Sequence, residues 1–286
     1  MFGRVWALLP LFPLMISGFT ATAAQVRTDI EYARVNGVSL RMDASIPDGS
    51  GISPAVIIVH GGGWVSGDRK TNVQPLFEPL SEAGFAWFSI SYRLVTDITQ
   101  FGVGISDVEQ AIRFVKTHAA EFRVDPDKIA LVGESAGGQL AAMAALQTDT
   151  KDSVKAVVAL YSPTDLVSLA KTSNYVPASI QDSVKGTPWE GLVLAGLGQL
   201  SPINNVRRDM PPFLLIHGTV DSLVPFQQSK AMCDRMRAAG ASCEVYPVRG
   251  AGHGIRWWES AGLGAEYKAK MTAWLHQQFD GARKPL

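Results

Sequence analysis

Two periodicities alternate along this chain. EYARVNGVSLRMDASI swaps apolar and polar side chains about Asn36-Gly37, a pair that readily takes positive φ, and so predicts a β-hairpin. Beyond it come short runs that are apolar on both faces: AVIIV (55–59), FAWFSI (85–90), KIALVG (128–133), VKAVVAL (154–160), PFLLIH (212–217) and CEVYPV (243–248). Stretches of helical period separate them. Strands apolar on both sides are what a parallel sheet needs when helices cover both of its faces. The pattern therefore predicts an α/β fold with a mostly parallel central sheet, an N-terminal antiparallel hairpin and helices on both faces. In GISDVEQAIRFVKTHA, Val108, Ala111, Ile112 and Val115 make one stripe, with Asp107, Glu109, Arg113 and Lys116 mainly outside it. Further helices are predicted over 226–239 and in the closing AEYKAKMTAWLHQQF. One segment, 166–205, breaks the alternation, being rich in Gly, Pro and Ser with weak periodicity. It is either a small lid over a site or a long surface excursion.

The first residues follow a different logic. MFGRVWALLPLFPLMISGFTATAAQ places one basic residue, Arg4, before an apolar run over 5–16, and then small residues at Ala21-Thr22-Ala23. That run is shorter than the ~20 residues that span a bilayer. The pattern predicts a signal peptide over 1–23, cleaved after Ala23 or Ala24, and a single mature domain over 24–286 that is secreted or periplasmic, with no membrane attachment after cleavage. Acidic and basic residues balance at 26 each, which argues against steering toward nucleic acid or an anionic membrane. Export changes how the two cysteines read. Cys233 lies in the 226–239 helix and Cys243 opens the next strand, so an oxidising compartment favours a disulfide between them over two buried thiols. Neither their spacing nor any His cluster suggests a metal site.

Chemistry concentrates at LVGESAGGQL. Gly133-Glu134-Ser135-Ala136-Gly137 joins a predicted strand to a predicted helix, the context of a G-x-S-x-G nucleophile elbow. A hydroxyl needs a base, and the base needs an orienting carboxylate. Among the five histidines, His118 is expected to be solvated, His276 lies far along the closing helix, and His217 is expected to pack or bond locally. His60 is expected to shape a loop. His253, in a glycine-rich loop after the final strand, is the expected base. For the carboxylate, Asp221 gives the order Ser…Asp…His, whereas Asp165 is read as a cap for the segment that follows it. His60-Gly61-Gly62-Gly63-Trp64 follows a strand and offers backbone N–H groups to an oxyanion, donors worth up to ~4 kcal/mol each when desolvated.

These residues resemble the α/β-hydrolase esterases and lipases with an HGGG-type oxyanion loop, and among them the secreted bacterial esterases that include bifunctional feruloyl and acetylxylan esterases. HGGGW (60–64), SISYRL (89–94), DKIALVGESAGGQLAAM (127–143) and SPINNV…MPPFLLIHGTVDSLVPFQQS (201–229) carry the likeness. The resemblance implies a serine carboxylesterase with Ser135, Asp221 and His253 as triad, and with Gly62, Gly63 and Ala136 as oxyanion hole. It implies no metal and no organic cofactor. The expected partner is a small-molecule or polysaccharide-linked ester, with no nucleic acid, and the oligomeric state is left open. Trp64, Trp257 and Trp258 are candidates for an acyl or aromatic pocket, with core packing as the competing role. Glu134, inside the elbow, is either buried or reaches a neighbouring loop. The same-fold alternative is an amide hydrolase, of kynurenine formamidase or exopeptidase type.

Overall fold

The structure, a computed structural model, describes residues 25–96, 100, 102–147, 151–172 and 186–280. The expected signal peptide over 1–23 lies outside them. Strands β1 (Gln25–Val35) and β2 (Val38–Ile46) form the hairpin, turning at Asn36 and Gly37 with φ of 50° and 82°. The six apolar runs become β3 (Ser53–Val59), β4 (Ala86–Ile90), β5 (Val124–Glu134), β6 (Ala156–Leu160), β7 (Phe213–Gly218) and β8 (Cys243–Val248). They join one sheet in the order β1-β2-β4-β3-β5-β6-β7-β8. β1, β2 and β4 pair antiparallel at one edge, and every neighbouring pair from β4 to β8 is parallel.

The helices are α1 (Phe77–Glu82), α2 (Val103–Thr117), α3 (Ala119–Phe122), α4 (Ala136–Gln147), α5 (Leu166–Thr172), α6 (Glu190–Gln199), α7 (Gln227–Ala238), α8 (Ile255–Ser260) and α9 (Gly264–Asp280). Alternation along the strands splits the core into two layers. Ile57, Val59 and Leu131 pack with Val108 and Ile112 of α2, Leu140 of α4 and Met232 of α7. Val56, Ile58 and Val132 pack on the other face with Leu80 of α1, Ile255 of α8 and Met271 of α9. Burial of each such side chain contributes roughly 1.5–3 kcal/mol, which is why strands apolar on both faces sit mid-sheet.

Two expectations need correction. Asp107 is fully buried rather than outside the α2 stripe. Its carboxylate accepts from the Arg93 backbone N–H at 2.8 Å and from Arg93 Nη2 at 2.6 Å, and this forked pairing makes the buried charge tolerable. His118 is half-buried rather than solvated: its Nδ1 lies 2.8 Å from the Phe114 carbonyl, and its ring stacks on Phe114 at 4.1 Å.

In the 166–205 segment, Asp165 Oδ1 accepts from Ser168 N–H at 2.9 Å and so caps the start of α5. A 3-10 turn over Pro202–Asn205 packs on α4, while residues 173–185 lie outside the described residues. Cys233 of α7 and Cys243 of β8 are joined by a disulfide, with Cα atoms 5.3 Å apart. No helix among the described residues is long and apolar enough to cross a membrane.

Candidate active site

β5 hands over to α4 through Ser135, whose φ of 50° is left-handed, a conformation costing on the order of 1–3 kcal/mol for a residue with a Cβ. Its N–H donates to the Leu160 carbonyl at 2.9 Å, which ties the turn to β6. The flanking glycines are required sterically. A Cβ on Gly133 would strike the Gly137 carbonyl, and one on Gly137 would strike the carbonyls of Val59 and His60. The strained serine is thus held between close-packed backbones.

The Ser135 hydroxyl lies 2.9 Å from His253 Nε2, and His253 Nδ1 lies 2.7 Å from Asp221 Oδ2. A carboxylate only accepts, so Nδ1 carries the imidazole proton and Nε2 is left bare toward the hydroxyl. The three side chains come from the carboxyl ends of β5, β7 and β8. Asp221 is nearly buried, and its other oxygen accepts from Leu223 and Val224 N–H, both at 2.9 Å. Burial works against its charge. Hydrogen bonds from His217 and His253, with the nearby His253 and the Val224 amide, outweigh that and hold the carboxyl well below the usual carboxylate range. His217 bonds locally, as expected: Nε2 lies 2.8 Å from the Val224 carbonyl and Nδ1 lies 2.7 Å from Ser229 Oγ. It also sits 3.3 Å from Asp221 Oδ2, a contact the sequence did not suggest.

In the glycine loop after β3, Gly62, Gly63 and Trp64 take φ of 115°, 60° and 66° in succession. Val65 and Ser66 N–H donate to the Gly62 carbonyl at 3.3 and 3.0 Å, which closes the loop on itself. Among the described residues, the amides of Gly62, Gly63 and Ala136 have no hydrogen-bond acceptor. His60 is buried, stacks on Tyr92 at 4.3 Å, and its Nδ1 donates to the Gly61 carbonyl at 2.7 Å. Burial lowers its pKa, so it braces the loop as a neutral ring.

Glu134 satisfies both readings of the sequence at once, for it is buried and it reaches a neighbouring loop. Oε1 accepts from Gly61 N–H at 3.0 Å, and Oε2 accepts from the Tyr161 hydroxyl. That hydroxyl also accepts from Ile255 N–H at 3.0 Å, and the Tyr161 ring meets the His253 ring edge-on at 4.6 Å. One carboxylate therefore links the glycine loop to the loop that carries His253. Burial pushes its pKa up, opposed by the bonds from Tyr161 and Gly61. Burial also raises the Tyr161 phenol, reinforced by the adjacent carboxylate.

A cavity of about 210 Å³ opens beside Ser135 and His253, lined also by Gly62, Asn72, Tyr161 and Arg256. None of the three candidate tryptophans lines it. Trp64 is nearly buried and donates its indole N–H to Gln139 Oε1 at 2.9 Å. Trp258 is fully buried, edge-on to Tyr161 and Tyr267. Trp257 is 48% exposed. No described residue of 166–205 lines the cavity either. Tyr161, Asn72 and Arg256 are site residues that sequence reasoning missed. Tyr161 follows β6 and Arg256 lies just beyond His253, and position at a strand's carboxyl end is the signal that would have found them.

A mostly parallel sheet in this order, with a serine at the β5–α4 turn, an aspartate after β7 and a histidine after β8, defines an α/β-hydrolase. Within that class the chain belongs to the BD-FAE family, whose profile matches residues 42–236. The resemblance to bifunctional feruloyl and acetylxylan esterases fits that family name. The chain is 30% identical over 228 residues to "Probable carboxylic ester hydrolase LipM" of Mycobacterium tuberculosis (strain ATCC 25618 / H37Rv), covering 76% of this chain and 52% of that protein. It is 32% identical over 221 residues to "Esterase LipC" of the same organism, covering 71% and 53%. The chain thus spans about half the length of these curated relatives. Among solved structures, a "Truncated form of carbohydrate esterase from gut microbiota" matches with TM-score 0.75 and 26% identity over 92% of this chain and 99% of that one. The thermophilic esterase Est2 of Thermogutta terrifontis matches with TM-score 0.72 and 26% identity, over 93% and 96%.

Proposed function

We propose that this protein is a serine carboxylesterase acting on esters of short acyl groups, acetyl foremost. The observation that carries the reading is the unbroken relay from Ser135 Oγ through the His253 ring to Asp221, at 2.9 and 2.7 Å. His253 Nε2 takes the hydroxyl proton as Oγ bonds to the ester carbonyl carbon. The free amides of Gly62, Gly63 and Ala136 receive the negative oxygen. The tetrahedral adduct then collapses, the C–O bond to the alcohol breaks, and the proton on His253 passes to the leaving oxygen. Water, deprotonated by the same imidazole, releases the acid from Ser135. A carboxylate hydrogen-bonded to Nδ1 fixes the tautomer and stabilises the imidazolium formed midway.

Cavity size supports a short acyl chain, since about 210 Å³ falls below the roughly 300–1,000 Å³ typical of sites for larger ligands. The feruloyl-sized reading is weakened because the tryptophans expected to wall it lie elsewhere. Cleavage of the 1–23 leader would make the enzyme an exported one, a reading the Cys233–Cys243 disulfide supports. The mass of the mature protein recovered outside the cytoplasm tests this.

The function is tested by exposing purified protein to a fluorophosphonate and measuring intact mass. One adduct, absent from Ser135→Ala, is expected, together with turnover of 4-nitrophenyl acetate and none of N-formylkynurenine. Wild-type turnover by Ser135→Ala would overturn the assignment.

A further inference from the structure

Arg256 shares the cavity with Ser135 and His253. It is the second residue of α8, and its backbone is fixed from several sides. Ile255 N–H donates to the Tyr161 hydroxyl at 3.0 Å, and Trp257 and Trp258 N–H donate to the Gly254 carbonyl at 3.1 and 3.2 Å. The Trp258 indole donates to the Gly252 carbonyl at 2.8 Å. The side chain itself is exposed, and among the described residues its guanidinium has no hydrogen bond or ion pair. Arg69, Arg93 and Arg113, by contrast, each meet a carboxylate.

Arg256 acts on the buried Glu134 carboxyl through its charge alone, opposing the upward push of burial, and no hydrogen bond or ion pair joins the two. Glu134 is the one acid lining the cavity among the described residues, and both of its oxygens are engaged, by Gly61 and Tyr161. Asn72, another lining residue, accepts from Asp68 N–H through Oδ1 at 3.1 Å and so keeps its amide hydrogens for a second oxygen. A planar guanidinium presents paired donors that match a carboxylate. A cleft whose one lining arginine keeps its donors unbonded therefore favours a charged substrate oxygen over aromatic bulk.

We propose that Arg256 forms a subsite for a carboxylate, so that the preferred substrates are esters carrying a free carboxylate close to the bond that is cut. This rests on the esterase reading and refines its substrate class. Either half of the ester can bring the carboxylate, and the assay separates the two. The alcohol arm compares 4-acetoxyphenylacetate with its methyl ester, and the acyl arm compares mono(4-nitrophenyl) glutarate with its methyl ester. Each pair is run on wild type, Arg256→Gln and Arg256→Lys, with uncatalysed hydrolysis subtracted. Wild type is expected to favour the charged member of one pair by at least about tenfold in kcat/KM, expressed mainly in KM. Arg256→Gln should bring that ratio near one, Arg256→Lys should keep part of it, and added salt should shrink it in wild type.

Equal turnover within both pairs by wild type, or a preference that survives Arg256→Gln, overturns the subsite while leaving the esterase intact. Failure of wild type to cleave any of the four esters overturns both.

Discussion

Helices α4 and α6 are both mostly apolar, yet they occupy opposite surroundings. Every residue of α4 from Ala136 to Leu146 is buried, whereas α6 has no buried residue and Leu192 on it is 67% exposed. Composition does not separate them; the chain's route does. α4 leaves the end of the central strand β5 and is wedged between α2 and the sheet, with its first turn facing the reactive cleft. α6 lies in the excursion between β6 and β7 and touches α5 and the 3-10 turn. The carboxyl edge of the sheet is therefore densely packed, while the excursion is loosely attached.

The largest effect should come from that dense edge. Asp221→Asn puts an amide where His253 Nδ1–H needs an acceptor and reverses the ring's tautomer. It should lower kcat for 4-nitrophenyl acetate by about 10⁴-fold, and a loss smaller than tenfold would show that Asp221 does not orient the ring. Next comes the packing behind Ser135. Leu140→Ala, at a fully enclosed position of α4, should cost about 2–5 kcal/mol in urea unfolding.

Glu134→Gln is intermediate. With Tyr161 and Gly61 held less firmly, kcat/KM should fall by about tenfold. The pH dependence has a definite sign. Burial raises the Glu134 pKa above its ordinary 4.5, so the folded state binds its proton more tightly than the unfolded chain. This contribution to stability is fully present below about pH 4.5 and is lost as pH rises through the elevated native value. Unfolding curves above pH 4.5 should therefore decline less steeply for Glu134→Gln than for wild type; identical slopes would refute the assignment. The smallest effect is expected on α6, where Leu192→Ala should change stability by no more than about 0.5 kcal/mol. Matching losses for Leu192→Ala and Leu140→Ala would erase the contrast between the two helices.

Much of the architecture is legible in the chain because it is written locally. The six apolar runs become strands β3 to β8, and Asn36-Gly37 makes the turn. The convergence of Ser135, His253 and Asp221 is readable for a related reason: each follows the carboxyl end of a parallel strand, and such ends gather along one edge. What is not legible depends on neighbours remote in sequence. Asp107 looks like a surface acid until Arg93 is seen against it. Trp258 looks like a pocket wall until its indole is found pinned to the Gly252 carbonyl. Glu134 holds two loops because Gly61 and Tyr161 arrive from either side, and no short window contains all three. The same limit hides the fate of α6, since an apolar helix announces a wish for burial without naming what will cover it.

The Cys233–Cys243 link has a practical consequence. Closing a loop of sequence separation 10 restricts the denatured ensemble by an amount that chain-entropy reasoning puts at about 3 kcal/mol. Whole domains hold together by only about 5–15 kcal/mol. A sample handled in dithiothreitol is thus a weaker molecule than the oxidised one, with α7 no longer tied covalently to the outermost strand β8. Assays on reduced and oxidised preparations would be comparing two different materials.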